Sequence, residues 1–226
     1  MDEKKICFIL CVNDAFYFQE MQLYLRQLVM PKGMTAEVYP VYDAQSMTSG
    51  YNQGMYQNDA KYKIYLHQDL FILKRDILLN LLEIFQGDSK IGMIGMAGCV
   101  KLPSSAVWWM GDKRYGNISS KVTAEETHDV LFGIVEGKYA EVEAVDGIFM
   151  ATQDDLPWRQ DLFTGWHFYD TSQSEEFQRA GYKIVVPRQT VPWVMHVCGN
   201  TLLGENYAQY QEIFLSEYKS QKVSDS

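Results

Sequence analysis

The sequence is short of positive charge. Twenty Lys and Arg stand against twenty-nine Asp and Glu, a net charge of −9 over 226 residues. A surface of that sign repels polyphosphate chains and anionic bilayers, so nucleic acid is set aside as a partner. Cysteine is scarce as well: Cys7, Cys11, Cys99 and Cys198 show no C-x-x-C spacing. Three of them sit in apolar runs, where a free thiol behaves as a small hydrophobe, and a reducing, cytoplasmic setting is the expectation. No apolar run reaches the roughly 18 residues needed to span a bilayer, and Met1 to Lys5 do not begin the apolar core of a secretory signal.

Several motifs are missing too. There is no Walker A loop, and Gly92, Gly95 and Gly98 have the wrong spacing for a dinucleotide fingerprint, which leaves close packing as their reading. No G-x-S-x-G elbow occurs and no cysteine carries a nucleophile signature, so hydride-transfer, P-loop and covalent-hydrolase readings recede. A nucleotidyltransferase would show a glycine-rich phosphate loop near the N-terminus, and Cys11-Val12-Asn13-Asp14 is not one.

Apolar residues, by contrast, are plentiful at 47%, enough for one sizeable core in a chain of this length. Ile6 to Val12 reads as a buried parallel strand closing in the turn Asn13-Asp14. A helix follows with Tyr17, Met21, Tyr24 and Leu28 on one stripe, ended by Pro31 and Gly33, and a strand over Ala36 to Val41 leads to Asp43. A short helix opens at Ser49-Gly50 and runs to about Asp59, Tyr62 to Leu66 is a strand ending at His67-Gln68-Asp69, and Ile77 to Phe85 is a helix before the strand Ile91 to Met96. Lys101 to Tyr139 breaks the alternation. Strand character resumes over Val142 to Ala151. Ser172 and Glu175 match a capping box for a helix that Gly181 ends, and Lys183 to Pro187 is the last core strand. Glu205 to Lys219 is a terminal helix with Tyr207, Tyr210, Phe214 and Tyr218 on one stripe. Residues 220–226 form a polar tail. The β-α alternation predicts a single α/β domain over 1–219, with a mainly parallel mixed sheet flanked by helices.

In such a sheet, ligands gather beyond the carboxyl ends of the strands. Asn13, Asp14, Asp43, His67 and Asp69 all occupy strand ends, although Asn and Asp also serve there simply as helix caps. His67 and Asp69 are two apart, so a continuing strand projects both to one face, where imidazole and carboxylate together suit Mn²⁺ while Mg²⁺ prefers oxygen.

Three stretches resemble the GT-A glycosyltransferases, specifically the bacterial family 2-like enzymes. Ser49 to Gly54 followed by Tyr62 to Asp69 is similar to the helix and strand leading to the family's D-x-D motif, with His67 at the first acidic position. Val145 to Met150 resembles the strand facing the acceptor sugar. His167-Phe168-Tyr169-Asp170, then Glu176-Phe177 and Ala180 to Ile184 with Pro187, resembles the family's E-D pair, its helix and the following G-Y-x-I strand, with Tyr169 in place of Glu.

The resemblance implies a Rossmann-like GT-A fold, with a nucleotide-sugar-binding half over 1–100 and an acceptor and catalytic half over 101–200. It implies an inverting, hexosyltransferase-type enzyme that uses a UDP-sugar with Mn²⁺ or Mg²⁺ on a glycan or polysaccharide acceptor. Residue by residue, Asp69 and His196 would hold the cation with His67 a further contact, and Asp170 would be the general base. Asn13, Asp43 and Asn52 would line the donor. Asp146, Trp108, Trp109 and Trp166 are the acceptor candidates, the tryptophans because flat apolar faces suit sugar C–H groups, although core packing is the commoner use of such rings. The substituted positions 51, 67 and 169 also leave open a noncatalytic sugar-nucleotide or glycan-binding module. A homodimer or a membrane-associated assembly is compatible with either reading.

Overall fold

The computed structural model describes residues 1–121, 126–197, 204 and 206–219. The first half is built from β1 (Asp2–Val12), α1 (Ala15–Leu25), β2 (Thr35–Tyr42), α2 (Met47–Tyr56), β3 (Ala60–Leu66), β4 (Leu70–Ile72), α3 (Ile77–Gly87) and β5 (Ile91–Gly95). Then come β6 (Ala97–Cys99), a 3₁₀ turn at Trp108–Met110, β7 (Arg114–Lys121), β8 (Thr127–Gly133), β9 (Tyr139–Val142), β10 (Ala144–Val145) and β11 (Phe149–Thr152). The chain closes with α4 (Tyr169–Arg179), β12 (Lys183–Pro187), β13 (Val194–Val197), and α5 (Tyr207–Phe214) widening into a π turn at Leu215–Lys219.

The central sheet has seven strands in the order β2-β1-β3-β11-β5-β12-β9. β1 runs parallel to β2 and β3, and β5 parallel to β12, whereas β11 lies antiparallel between β3 and β5, and β9 lies antiparallel on β12. A second sheet has the order β10-β6-β7-β13-β4, with β8 beside β7. The unbroken apolar run of β1 follows from burial on both faces. Ile6, Phe8 and Leu10 join a core with Phe18 and Met21 of α1 and Leu78 and Phe85 of α3, while Cys7 and Ile9 join a separate core with Tyr51 and Met55 of α2 and Phe177 of α4. The glycine triplet is close packing, as expected: a Cβ on Gly92 would meet the rings of Phe177 and Tyr182.

Several boundaries differ from expectation. The first helix stops at Leu25, and Leu28 is buried in the turn beyond it. α2 starts at Met47 rather than Ser49, because Ser46 is the cap and Ser49 returns its hydrogen bond. The break at 101–139 holds the hairpin β7–β8, Val142 to Ala151 divides into β9, β10 and β11, and β13 follows Pro187. The Ser172–Glu175 pair does not cap a helix. α4 already begins at Tyr169, behind Phe168 in a left-handed conformation, and Ser172 Oγ instead pairs with the Tyr218 hydroxyl at 2.8 Å. The expected tail at 220–226, Cys198 and Glu205 lie outside the described residues.

Candidate active site

Three cavities converge on His67, the residue after β3. The first, about 230 Å³, is lined by Cys11, Val12, Asn13, Ala44, Met47 and the segment Leu66–Asp69, with Trp166 at its mouth. The second contains Trp166, His167, Tyr169, Asp170, Trp108, Trp109 and Tyr207. The third, about 550 Å³, runs between Trp108, Trp109, Phe132 and Ile118 and reaches Asp146 and His196.

At the junction lie His67, Asp69 and His196. His67 Nδ1 is 3.4 Å from His196 Nε2, which is 3.4 Å from Asp69 Oδ1, and the third side of the triangle is 3.9 Å. Two donors held at about 2.2 Å from one cation lie about 3.1 Å apart at right angles and about 3.6 Å apart in a tetrahedron, so this set fits a divalent ion with little movement. The three side chains come from both sheets, His67 and Asp69 from the β3–β4 link and His196 from β13. Burial and the neighbouring His196 push His67 down to about 4, which keeps its ring neutral at physiological pH. Burial alone would raise Asp69, but the contacts with His196 outweigh it and hold the carboxyl below the ordinary range.

Asp170 stands in the first turn of α4, its Oδ1 accepting from the Thr171 amide at 2.8 Å and its Oδ2 from the Gly147 amide at 3.1 Å. Those amides favour the carboxylate, yet burial and then the charge of Asp146 win, raising Asp170 to about 7. A carboxyl that titrates near neutrality suits proton transfer. Asp146 is itself raised by burial, and its Oδ1 accepts from the Ile148 amide. Two non-glycine residues with left-handed backbone, Ala106 (φ 58°) and Phe168 (φ 60°), line the Asp170 cavity, and such strain persists only where surrounding packing enforces it.

Other candidates fall in different places. Asn13 is at the rim of the first cavity. Asp43, left-handed at φ 55°, is exposed just outside it, ahead of Ala44. Asn52 lies on the buried side of α2, donating to the Trp158 carbonyl and accepting from the Trp158 amide, both at 2.9 Å, and it lines none of the three cavities. Trp108 is buried and Trp109 and Trp166 are 37% and 46% exposed, and all three line the cavities. Asp14 is a helix cap, accepting from the Phe16 and Tyr17 amides.

Sequence reasoning did not single out Gln68, which ties two strand ends together. Its Oε1 accepts the amides of Asn13 and Asp14 at 3.0 Å each, and its Nε2 donates to Asn13 Oδ1. Its place between His67 and Asp69 was the available signal, although the chain there turns, the Leu70 amide donating to the His67 carbonyl at 3.3 Å. Tyr207, against Trp109 and Phe168, carried no such signal.

A model of the glycosyltransferase-like family matches residues 7–218. The chain belongs to that family. Solved structures similar to this family member are GT-A glycosyltransferases, and its mixed α/β domain shares their fold. One is the mannosyltransferase PcManGT from Pyrobaculum calidifontis in complex with GDP-Man and Mn²⁺, 12% identical with a TM-score of 0.55, covering 99% of this chain and 65% of that one. Another is Staphylococcus aureus TarS with UDP, 11% identical, TM-score 0.53, covering 97% and 72%. A third is a variant of Drosophila β1,4-galactosyltransferase 7 with manganese, UDP-Gal and xylobiose, 13% identical, TM-score 0.56, covering 92% and 79%. The family member thus spans about two thirds to four fifths of these chains. No curated protein sequence matches it significantly. No helix among the described residues is long and apolar enough to cross a membrane.

Proposed function

We propose that this chain is an inverting glycosyltransferase that moves a sugar from a UDP-sugar to a saccharide hydroxyl, with a divalent cation held by Asp69, His196 and His67. The observation that carries the reading is the adjacency of that triad to two cavities, one beside the β1 and β3 strand ends and one containing Asp170. A cation bound there supplies positive charge for the diphosphate that leaves.

The chain's own residues divide the remaining work. The cavity beside Asn13, Ala44 and Met47 takes the nucleoside, with Asp43 at its rim. Trp166 borders both cavities and covers the sugar between them. Trp109 gives the acceptor a flat face, with Trp108 behind it at 5.9 Å and Asp146 at the far end of the third cavity. Asp170, ionised above about pH 7, accepts the proton of the attacking hydroxyl as the bond to the sugar forms, and attack from the side opposite the leaving phosphate inverts the anomeric carbon. Cys7, Cys11 and Cys99, free thiols pushed up to about 12 by burial, take no part and fit a reducing compartment.

The test is calorimetric titration with UDP and GDP, each with and without Mn²⁺, on the wild type and on Asp69→Ala. Metal-dependent binding of UDP that disappears in the variant supports the donor site. Absence of nucleotide binding under every condition would overturn it and favour a noncatalytic glycan-binding module.

A further inference from the structure

Tyr169 and His67 form a polar pair within an aromatic wall. The phenol packs beside Tyr51 and Trp158, at ring separations of 6.0 and 6.3 Å, and its oxygen lies 2.6 Å from His67 Nε2. The other ring nitrogen, Nδ1, is the one that faces His196 and Asp69. A neutral imidazole has a lone pair on one nitrogen only, so Nδ1 can hold a cation only while the proton sits on Nε2. There the proton points to the Tyr169 oxygen, which accepts it. With no cation bound, the same hydroxyl can donate to Nε2 instead. A group that works in both directions holds the ring in one orientation through both tautomers, as partners of metal-bound histidines do. The space for this phenol is kept open by Gly147, where a Cβ would stand 2.2 Å from the hydroxyl oxygen.

We propose that Tyr169 is a positioning residue that aims His67 Nδ1 at the cation, and that the resulting two-imidazole, one-carboxylate set takes a borderline transition ion such as Mn²⁺, Co²⁺ or Zn²⁺ and discriminates against Mg²⁺. The inference rests on the metal-assisted reading above and narrows it. Magnesium demands oxygen donors and keeps most of its water, whereas imidazole nitrogen suits first-row transition ions. Two nitrogens out of three protein donors therefore penalise Mg²⁺.

The whole chain is titrated by calorimetry with MnCl₂, CoCl₂ and MgCl₂ in the absence of nucleotide, and the visible spectrum of the Co²⁺ form is recorded. Mn²⁺ and Co²⁺ are expected to bind at least about ten-fold more tightly than Mg²⁺. Tyr169→Phe should weaken Mn²⁺ by roughly 10 to 100-fold, the usual effect of losing a ligand's orienting partner, and alter the Co²⁺ bands. In a His67→Ala background the same change should cost nothing further, an outcome that a purely structural role for the phenol does not give. His67→Asp, which leaves Tyr169 in place, should narrow the gap between Mn²⁺ and Mg²⁺. Equal Mg²⁺ and Mn²⁺ affinities in the wild type, or a Tyr169→Phe protein with unchanged affinity and spectrum, overturn the inference and leave the donor site standing. A wild type that binds none of the three ions, alone or with UDP, overturns the metal-assisted reading itself.

Discussion

Replacing Asn52 by Ala separates a structural brace from a ligand contact. Its side chain is 4% exposed and closes two hydrogen bonds of 2.9 Å on the main chain of Trp158, a residue 106 positions away. Alanine leaves a buried amide and a buried carbonyl without partners, at about 1–3 kcal/mol each, and relaxation recovers part of that, so a loss of about 3 kcal/mol is expected. Unfolding entropy of about 2.1 cal/mol/K per residue over the 226 residues converts 3 kcal/mol to a drop of about 6 °C in Tm. Trp158 packs at 4.8 Å on Tyr51 and 4.9 Å on Tyr65, so near-ultraviolet circular dichroism should register its loosening. The assay is urea unfolding followed by tryptophan fluorescence and far-ultraviolet dichroism, with UDP titration alongside. A variant that loses less than 1 kcal/mol yet binds UDP ten-fold more weakly would refute the brace and return Asn52 to the donor site.

Asp170→Asn should lower transfer by 10² to 10⁴-fold while nucleotide binding by calorimetry persists. In the wild type, kcat/KM should rise with pH through about 7 as Asp170 ionises, and Asp146→Asn should move that limb to lower pH by removing a neighbouring charge. The raised value also means that the folded chain holds this proton more tightly than the unfolded one. Asp170's contribution to stability is therefore full below about pH 4 and fades as pH climbs to about 7, which urea unfolding of wild type and Asp170→Asn across that window will show. Asp155→Ala strands the ammonium of Lys63, which is fully buried and 2.8 Å from that carboxylate, and should cost about 3 kcal/mol in the same assay; a loss below 1 kcal/mol would mean the ammonium finds water.

Much of the central sheet was legible because its strands are buried on both faces and read as apolar runs, Ile6 to Val12 above all. The second sheet was not. β7 reads Arg-Tyr-Gly-Asn-Ile-Ser-Ser-Lys, and its buried stretch Gly116 to Ser119 holds a single large apolar side chain, so no hydrophobic period announces it. The Ser172–Glu175 pattern misled for a related reason. Local capping chemistry was present, but the packing of Tyr169 and Phe168 starts the helix three residues before Ser172 and turns Ser172 toward Tyr218. At the site, the two-residue period of a strand suggested a common face for His67 and Asp69, but β3 ends at Leu66 and a turn, with the Leu70 amide donating to the His67 carbonyl, is what brings the two side chains to 3.9 Å. The bond from Tyr169 to His67 spans 102 positions and the brace from Asn52 to Trp158 spans 106, and no local rule reaches so far.

The place of β11 in the sheet has a consequence during synthesis. β3 and β5 are complete once Gly95 has been made, yet the strand that joins them, Phe149–Thr152, belongs to the later part of the chain. At 5–20 residues per second, the roughly fifty intervening residues take about 3–10 s to be added. For that interval the emerging half has two open strand edges facing a gap, where a chaperone or another nascent chain can dock. A protein divided near residue 100 would keep that gap permanently, so its two halves should fold only when supplied together.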